Sequence, residues 1–566
     1  MRPYGPASPW RLAPGLTFLN HGSFGACPVP ILDAQAALRE AMEANPVRFL
    51  ARELDDRLAG ARATVAAFLG ADPEGLVFVS NATAGVSTVL RSLDLAPGDE
   101  LLTTDHEYNA SLVALGAVAG RAGAHVVVAH LGLPIEGPNQ VVERVLAAVT
   151  PRTRLALISH VTSPTGLVLP IERLVRELDS RGVDTLVDAA HAPGMLPVDL
   201  GQLGAAYWTG NGHKWCCAPK GAAVLYARED RRDDLVPLAY SHGWADPDAD
   251  RPVAWKRFDW TGTVDPTAFL CLAEAITFMG TLHPDGWPGL QAENRAKAVA
   301  GRRRLLAALG TTPLAPESML GALAAVELPG LARDDDAAAA LQSALFDDHA
   351  IEVPVLGWPA PAARATPDSP PDRVLLRISA QRYVEPEDIE RLVEALGGML
   401  GGPGDAWARR SGPTHRSAAI HPGPGVAPLT VMQGGRRKAF RPLAVGDRLA
   451  AFDAGLAAYR AGEWFEAHEL WEPAWMGTAD TAERDLLQGL IKVAAAHVHR
   501  ERGNALGMAK NLRGARTLLA AALAARAPAY GLRLADIIAS VDDRLVHLDG
   551  PGADDAAAVP AIDLGA

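Results

Sequence analysis

The sequence predicts an α/β protein with a doubly wound, mostly parallel sheet, a smaller α+β domain, and a C-terminal all-α helical bundle. Three observations predict this fold class. Up to about residue 400, short β-rich runs alternate with helical patterns, which is typical of βαβ units. From about 401 to 428 the chain is rich in Gly, Pro, Ser and Arg and has no apolar periodicity. After about residue 447 the apolar residues recur only with helical spacing.

Short apolar runs predict the strands. Those of the main sheet are predicted at 76–80, 100–104, 125–129, 155–159, 185–188 and 222–226. Two later runs, at 323–328 and 373–378, predict a smaller layer flanked by helices, one of them at 388–400. In doubly wound sheets, ligands bind outside the carboxyl ends of the strands. The polar residues that follow these runs are therefore the candidates for chemistry.

The C-terminal region predicts five helices. In the first, Leu449, Phe452, Leu456 and Tyr459 share one face, and Gly462 can end the helix. The second and third helices are predicted from apolar stripes, and the last two from their length and composition; the four lie around 464–475, 486–494, 505–522 and 532–548.

These patterns divide the chain into four parts. Residues 1–400 are expected to form one unit, with a large domain at about 45–265 and a small domain made from the N-terminal segment and about 266–400. A linker at 401–445, a helical bundle at 446–550 and a flexible tail at 551–566 follow. The length of 566 residues suits this division, at roughly 100–200 residues per domain.

Composition excludes several classes of protein. Lys and Arg number 53 against 66 Asp and Glu, so the net charge is −13, which argues against a binder of nucleic acid or of membrane surfaces. Four cysteines without a CxxC pair exclude a disulfide scaffold and predict a reducing compartment, the cytoplasm. We find no secretory signal and no uninterrupted apolar segment of the ~20 residues that a membrane helix needs.

The residues that carry chemistry follow predicted strands. Asp188 ends one strand, and Lys214 lies about 26 residues later beside His213 in a loop that contains glycine. Pyridoxal phosphate needs a lysine for a Schiff base and a carboxylate for its pyridinium nitrogen. Its phosphate suits the N-terminus of a helix, and the turn at 81–85 leads from a strand into a helix. These residues together predict a site for pyridoxal 5'-phosphate.

Eight segments in order extend this interpretation. They are FLNHGSFGACP (18–28), VSNATAGV (79–86), TTDHEYNA (103–110), ISHVTSPTGLVLPI (158–171), VDAAHAPG (187–194), TGNGHKWCCAPKG (209–221), DWTGTVDP (259–266) and LLRISAQRYVEPEDI (375–389). In these segments the chain resembles the class V aminotransferase family of fold-type-I pyridoxal-phosphate enzymes, in its isopenicillin N epimerase-like branch. The resemblance covers residues 15–400.

The resemblance implies a role for each matching residue. Lys214 would form the Schiff base and remove the substrate's α-proton, and Asp188 would pair with the pyridine nitrogen. Other residues would surround the cofactor: His191 and Ser163 near the ring hydroxyl, Tyr108 on the ring face where many relatives have His, and Ala82, Thr83, Asn211 and His213 around the phosphate.

The resemblance also implies substrate contacts and a partner subunit. Arg377 would bind the α-carboxylate of the substrate, a bidentate geometry that guanidinium fits. Asn20 and His21 would line the substrate entrance. Thr263 would reach the phosphate in the neighbouring subunit, which implies a homodimer with shared active sites.

The implied activity is pyridoxal-phosphate chemistry on an amino acid or amino-acid-derived substrate, through an external aldimine and a quinonoid. Epimerase or aminotransferase chemistry at the α-carbon is the first hypothesis. Desulfurases of the family carry a persulfide cysteine in the small-domain half, and residues 310–373 contain no cysteine. A C–S lyase without such a thiol stays open, as does a non-catalytic scaffold that retains the fold. Cys216 and Cys217 are interpreted as structural residues.

The segment FEAHELWE at 465–472 resembles a small all-helical domain family of unknown function. His468 and Glu472 are four residues apart on a helix and can share a face. Together with His497 from another helix they are weak candidates for metal ligands. We favour a polar network that fixes the packing around Trp471 and Trp475, so we predict no metal.

Overall fold

The computed structural model describes residues 8–246, 251–366, 369–400, 430–433, 436–439, 445–478, 480–501, 503–525, 527, 530–548, 562 and 564. The chain divides into two compact units, Met1–His415 and Arg416–Ala566. No helix in the described part of the chain is long and apolar enough to cross a membrane.

The strands of the first unit are β1 Thr17–Phe18, β2 Leu76–Val79, β3 Glu100–Thr104, β4 His125–Ala129, β5 Thr153–Ser159, β6 Asp184–Asp188, β7 Tyr207–Asn211, β8 Ala223–Ala227, β9 Leu323–Glu327, β10 Ile351–Glu352, β11 Val355–Trp358 and β12 Arg373–Ser379. Its helices are α1 His21–Phe24, α2 Val29–Ala44, α3 Pro46–Arg48, α4 Leu54–Leu69, α5 Ala82–Ser92, α6 Asn109–Ala122, α7 Pro138–Ala147, α8 Ile171–Asp179, α9 Leu200–Leu203, α10 Val253–Asp259, α11 Thr267–Gly280, α12 Gly286–Leu309, α13 Asp335–His349 and α14 Pro386–Leu400.

The main sheet has seven strands in the order β2-β8-β7-β6-β5-β3-β4. Strands β7, β6, β5, β3 and β4 pair in parallel, whereas β8 pairs antiparallel with both β7 and β2. The sheet is therefore mostly parallel, as the sequence predicts. Strands β2, β3, β7 and β8 are buried along their whole length, and this burial explains the continuous apolar sequences of β2 and β8.

The six strands predicted for this sheet are all present, within two residues at either end. Strand β7 is not predicted from the sequence, because Gly210 and two polar residues interrupt its apolar character. Register places the functional ends side by side: Ser159 pairs with Asp188, and Asp188 pairs with Thr209.

The smaller layer is a three-stranded antiparallel sheet in the order β11-β12-β9. A second short sheet joins the N-terminal segment to this region, since β1 pairs in parallel with β10. The sequence analysis predicted β9 and β12 but not β1, β10 and β11, each of which has at most four residues. The N-terminal segment thus runs alongside the second half of the first unit.

The second unit contains the helices α15 Val445–Arg460, α16 Trp464–Gly477, α17 Thr481–Glu501, α18 Ala505–Ala524 and α19 Leu534–Leu548. A hairpin of β13 Thr430–Gln433 and β14 Arg436–Ala439 lies in the segment for which we predicted a linker. Gly462 adopts φ +81° between α15 and α16, as a helix-ending glycine does. The helices enclose their own apolar core, in which Trp471 and Trp475 are fully buried.

The C-terminal tail corrects one expectation. Most of 551–566 lies outside the described residues, but Ile562 and Leu564 are described and each is only 1% exposed. Both belong to the apolar core of the helical unit. The expectation of a loose tail therefore fails for these two residues.

Candidate active site

A pocket of ≈ 340 Å³ opens at the carboxyl ends of β5, β6 and β7. Ser159 and Asp188 reach it from the ends of their strands, and Asn211 from the end of β7. Because parallel strands end at the same edge, residues far apart in sequence meet here. Of the predicted site residues, the pocket brings together Ala82, Thr83, Tyr108, Ser163, Asp188, His191, Asn211, His213 and Lys214.

Lys214 faces a histidine whose tautomer is fixed. The indole Nε1–H of Trp215 donates to His191 Nδ1 at 3.3 Å, so the neutral imidazole carries its proton on Nε2. His191 Nε2 lies 3.2 Å from Lys214 Nζ, which must then accept as a neutral amine. Burial, and after it the nearby charge of Arg377, lower the pKa of Lys214 to about 7, against the opposing charge of Asp188. The arrangement keeps a nucleophilic amine inside the pocket.

Asp188 is a buried carboxylate that lines the pocket. Ser111 Oγ donates to Asp188 Oδ2 at 2.8 Å, and the backbone N–H of Ala190 donates to Oδ1 at 3.1 Å. Burial raises the pKa of Asp188, against the hydrogen bonds from Ser111 and Ala190 and the charge of Lys214. Burying a carboxylate is costly unless positive charge lies nearby, so this position suits a positively charged group of a ligand.

A second carboxyl group lies behind this site. Glu107 is fully buried and accepts hydrogen bonds from Thr104 Oγ1 at 2.9 Å and from the backbone N–H of Ser159 at 3.1 Å. Burial raises the pKa of Glu107 to about 7, and the charge of Asp188 contributes to that rise. Two buried acids so close together disfavour double ionisation, so we expect Glu107 to hold the proton.

The N-terminus of α5 forms the opposite end of the pocket. Asn81 caps the helix, since its Oδ1 accepts from the Ala84 N–H at 2.8 Å. Asn211 Oδ1 accepts from the Ala82 N–H at 2.8 Å and so ties the helix to the end of β7. Thr83 lies between these bonds and lines the pocket. A helix N-terminus with amide and hydroxyl groups around it suits an anion such as phosphate.

His213 lies beside this helix end. Its Nδ1–H donates to the Ala222 carbonyl at 3.0 Å. Burial lowers the pKa of His213 to about 4, and the charges of Lys214 and Lys220 add to the effect. A bound dianion would offset both causes and favour a proton on this ring.

Arg377, on β12, reaches the pocket wall from the smaller layer. It donates through Nη1 to the carbonyl and hydroxyl oxygens of Ser163, and through Nη2 to Ser23 Oγ at 3.1 Å. Its Nε is buried and has no hydrogen-bond partner. Burial lowers the pKa of Arg377 to about 10, so the guanidinium is charged at neutral pH. An unpaired buried donor beside a pocket suits a carboxylate ligand.

The N-terminal segment requires a correction. We expected Asn20 and His21 to line the entrance, but Ser23 and Phe24 line the pocket instead. His21 is fully buried, with Nε2 3.0 Å from the Lys214 carbonyl and Nδ1 2.7 Å from the Tyr383 hydroxyl. Burial lowers the pKa of His21 to about 3, so it supports the lysine loop as a neutral ring.

Asn20 has a supporting position as well. It accepts from Ser23 Oγ at 2.5 Å and donates to Glu352 Oε1 at 3.4 Å. Close packing explains the inward turn of this segment: at Gly25, with φ +60°, a Cβ would lie 3.0 Å from Lys214 Cα. The segment is thus pressed against the backbone of the lysine loop.

Two predicted residues are accessible. Tyr108 is 48% exposed at the N-terminus of α6 and lines the pocket. Thr263 is exposed on the loop before α11 and does not line the pocket of its own chain. Its role toward a neighbouring subunit stays a prediction.

The four cysteines do not supply a thiolate. None of them lines the pocket, and all are free thiols. Burial raises the pKa of every one of these thiols, Cys27, Cys216, Cys217 and Cys271. The structural interpretation of Cys216 and Cys217 agrees with their full burial.

In the helical unit, the three candidate metal ligands predicted from the sequence do not form one cluster. His468, Glu469 and Glu472 bring their ligand atoms within 4.8 Å of one another, and Glu469 is exposed. His497 does not join them, since its Nε2 accepts the Ile562 N–H at 3.2 Å.

Several functional positions were missed by sequence reasoning. Ser111, which donates to Asp188, lies in the first turn of α6, three residues after Tyr108. Lys220 lines the pocket and donates to the Gly25 carbonyl, and it lies within the motif that contains Lys214. Nothing in the sequence, apart from its position after Lys214, indicated that Trp215 would bind His191.

Pyridoxal phosphate fits this pocket on its own chemistry. The unpaired carboxylate of Asp188 suits a protonated pyridine nitrogen, the neutral amine of Lys214 suits an aldehyde, and the end of α5 suits a phosphate. The fold and the pocket together define a fold-type-I pyridoxal-phosphate enzyme.

The comparisons identify the family. The model of the family described as aminotransferase class-V matches residues 25–392, and that of a domain of unknown function, DUF309, matches residues 452–511. The chain belongs to the class V aminotransferase family and carries a C-terminal DUF309 domain.

Among its relatives, isopenicillin N epimerase of Amycolatopsis lactamdurans is 38% identical over 402 residues, 68% of this chain and 95% of the relative. A putative L-cysteine desulfhydrase of Oryza sativa subsp. japonica is 31% identical, over 68% of this chain and 83% of the relative. Among solved structures, the cystine C–S lyase C-DES in complex with its product cysteine persulfide matches with a TM-score of 0.56 and 22% identity, over 68% of this chain and 97% of that chain. That last likeness shows the fold.

Proposed function

We propose that the protein acts at the α-carbon of a small amino acid or amino-acid-derived substrate, with epimerase or aminotransferase chemistry like that of its isopenicillin N epimerase relatives. One observation carries this proposal: the amine of Lys214 lines the pocket, and the buried guanidinium of Arg377 is hydrogen-bonded to two residues of the same lining, Ser163 and Ser23. An α-amino acid needs both groups, because Lys214 would act at its amine and α-proton and Arg377 would bind its carboxylate.

Bound pyridoxal phosphate supplies an electron sink that weakens the bonds to the substrate's α-carbon. Asp188 holds a proton at the ring nitrogen and thereby maintains that sink. Arg377 orients the α-carboxylate through N–H groups directed at two oxygens. Lys214 Nζ takes the α-proton, and its depressed pKa leaves it neutral for this task at pH above about 7.

Epimerisation requires a second acid on the face opposite Lys214. Tyr108 follows β3, and Lys214 follows β7, with β5 and β6 between them in the sheet. We propose the Tyr108 hydroxyl, which lines the pocket from the segment after β3, as the group that returns this proton. Transamination needs only Lys214, on one face, so it does not depend on this hydroxyl.

A C–S lyase is the second candidate, favoured by the desulfhydrase relative. None of the four cysteines lines the pocket, which argues against a mechanism that passes sulfur through a thiol of this chain. A lyase that eliminates the sulfur group directly needs Lys214 and Arg377 but no thiol. A non-catalytic scaffold is disfavoured, because the lysine and the carboxylate that the cofactor requires are both in place.

Incubation of the holoenzyme with single L-amino acids in deuterated water separates these hypotheses. Deuterium at the α-carbon together with the D-isomer, measured by chiral chromatography, indicates an epimerase. Deuterium with a keto acid and an aminated cofactor indicates a transaminase, and sulfide with pyruvate from L-cysteine indicates the lyase. Failure of all α-exchange in the wild-type protein, at a level equal to Lys214→Ala, contradicts the proposal.

We also propose a cytoplasmic homodimer with shared active sites, on the strength of the exposed position of Thr263 and the free thiols. Hybrids of a Lys214→Ala chain with a Thr263→Ala chain test the sharing. If the sites are shared, one site of each hybrid carries both defects and the other carries none, so cofactor binding recovers. Hybrids that bind cofactor no better than the Thr263→Ala parent contradict it.

A further inference from the structure

Two side chains of the helical unit hold the backbone of one residue near the C-terminus. The Tyr459 hydroxyl donates to the Ile562 carbonyl at 2.8 Å, and His497 Nε2 accepts the Ile562 N–H at 3.2 Å. Both bonds are buried, and they come from two different helices, α15 and α17. A helix bundle has no free backbone groups in its walls, so a segment can dock there only where side chains satisfy its polar atoms.

The side chains of the docked segment are buried in the same unit. Ile562 and Leu564 are each 1% exposed and belong to the core that contains Trp471 and Trp475. They are two positions apart in the sequence. The sequence places the polar Asp563 between them.

The surroundings of His497 explain why it is suited to this contact. Its ring lies 4.6 Å from the Trp464 ring and 5.8 Å from the Tyr459 ring, centroid to centroid. Burial lowers the pKa of His497 to about 4, so Nε2 is an acceptor at neutral pH. Its Nδ1 has no hydrogen-bond partner in the described structure. The histidine that the sequence offered as a metal candidate thus contacts backbone instead.

We propose that the helical unit contains a binding site for a peptide with two aliphatic residues two positions apart, and that Ile562 and Leu564 of the chain itself fill this site. Recognition has two parts. Tyr459 and His497 bind the backbone of the first aliphatic residue, whatever its side chain, and the apolar core selects the two side chains. The site is separate from the pyridoxal-phosphate pocket and does not depend on the proposed activity.

Truncation tests the proposal. The chain is shortened to end at Ala558, kept as holoenzyme, and mixed with a fluorescein-labelled peptide of residues 559–566. Fluorescence anisotropy should show saturable binding to the truncated chain and at least tenfold weaker binding to the full chain, whose site is filled. A peptide with Ile562→Ala and Leu564→Ala should bind at least tenfold more weakly. Equal binding to the two chains, or equal binding of the two peptides, overturns the proposal.

Single-atom variants give a matched comparison in the full chain. Tyr459→Phe removes only the hydroxyl that binds Ile562, whereas Tyr530→Phe removes one that contacts Glu483. Loss of one such bond corresponds to about a two- to tenfold change in an equilibrium. Digestion by carboxypeptidase should therefore release C-terminal residues about two- to tenfold faster in Tyr459→Phe than in Tyr530→Phe.

If the truncated chain loses its helical circular dichroism, the peptide-binding experiment cannot be read, and the comparison of the two tyrosine variants tests the proposal instead. Equal digestion rates for the two tyrosine variants overturn the proposal. Loss of an oligomer on truncation, seen by light scattering, would assign the segment to a second copy of the chain and overturn its assignment to its own unit.

Discussion

Replacement of Arg377 by lysine tests the carboxylate site most directly. Arg377 offers a buried Nε–H without a partner and an Nη2–H held only by the Ser23 hydroxyl, so two charge-assisted bonds to a carboxylate are available. Each is worth about 1.5–3 kcal/mol. A lysine keeps the charge but at most one of these bonds, because its ammonium lacks the planar fork. We expect binding of an α-amino acid to weaken by about 1.5–3 kcal/mol, or roughly 10- to 150-fold.

The assay is titration of the holoenzyme with L-alanine and with ethylamine, followed by the visible spectrum of the cofactor. Ethylamine has no carboxylate, so Arg377→Lys should change its affinity little. Arg373→Lys is the matched control, since this arginine lies on the same strand but pairs with Glu327. A loss below threefold for L-alanine, or an equal loss for ethylamine, would refute the reasoning.

Three further predictions concern the lysine loop and the helix beside it. Cofactor-free protein should form its Schiff base with added pyridoxal phosphate at a rate that falls as pH drops through about 7, because the Lys214 amine is then protonated. The rate is read from the growth of visible absorbance, and a pH midpoint of the rate near 10 would contradict this prediction. Trp215→Phe removes the hydrogen bond to His191 and should lower the free energy of unfolding by about 1 kcal/mol. Nitrogen NMR of this variant should show that His191 no longer holds its proton on Nε2 alone, and an unchanged tautomer would contradict the assignment. Gly85→Ala would place a Cβ 2.7 Å from Thr209 Cβ and should destabilise the protein by about 1–3 kcal/mol in urea unfolding, whereas Gly116→Ala, with open space around it, should not destabilise; equal effects would contradict the packing argument.

Local patterns explain why the catalytic core could be predicted. Strand and helix periods depend on neighbouring residues, so the main strands and Asp188 at the end of β6 were recognisable in the sequence. The weaker elements were not, since β1 and β10 have two residues each and exist only because they pair with one another. Strand β7 could not be predicted from its sequence pattern, because it contains polar residues that only the surrounding fold buries.

Side-chain direction was the part that sequence could not supply. His21 and Ser23 are two residues apart, yet His21 turns toward the Lys214 carbonyl and Ser23 toward Arg377. The difference depends on the packing of Gly25 against the lysine loop, a contact across nearly 190 residues of chain. No local period encodes such a contact.

By itself the sequence determined the fold class, the class V family and the cofactor, and it predicted the lysine and aspartate of the site, because these rest on short motifs and local periodicity. The tertiary structure alone decided that Trp215 fixes the tautomer of His191, and that Ile562 docks on Tyr459 and His497. The physical reason is the same in each case. A hydrogen bond between groups distant in sequence is set by how the packed elements meet, and that geometry belongs to the whole fold.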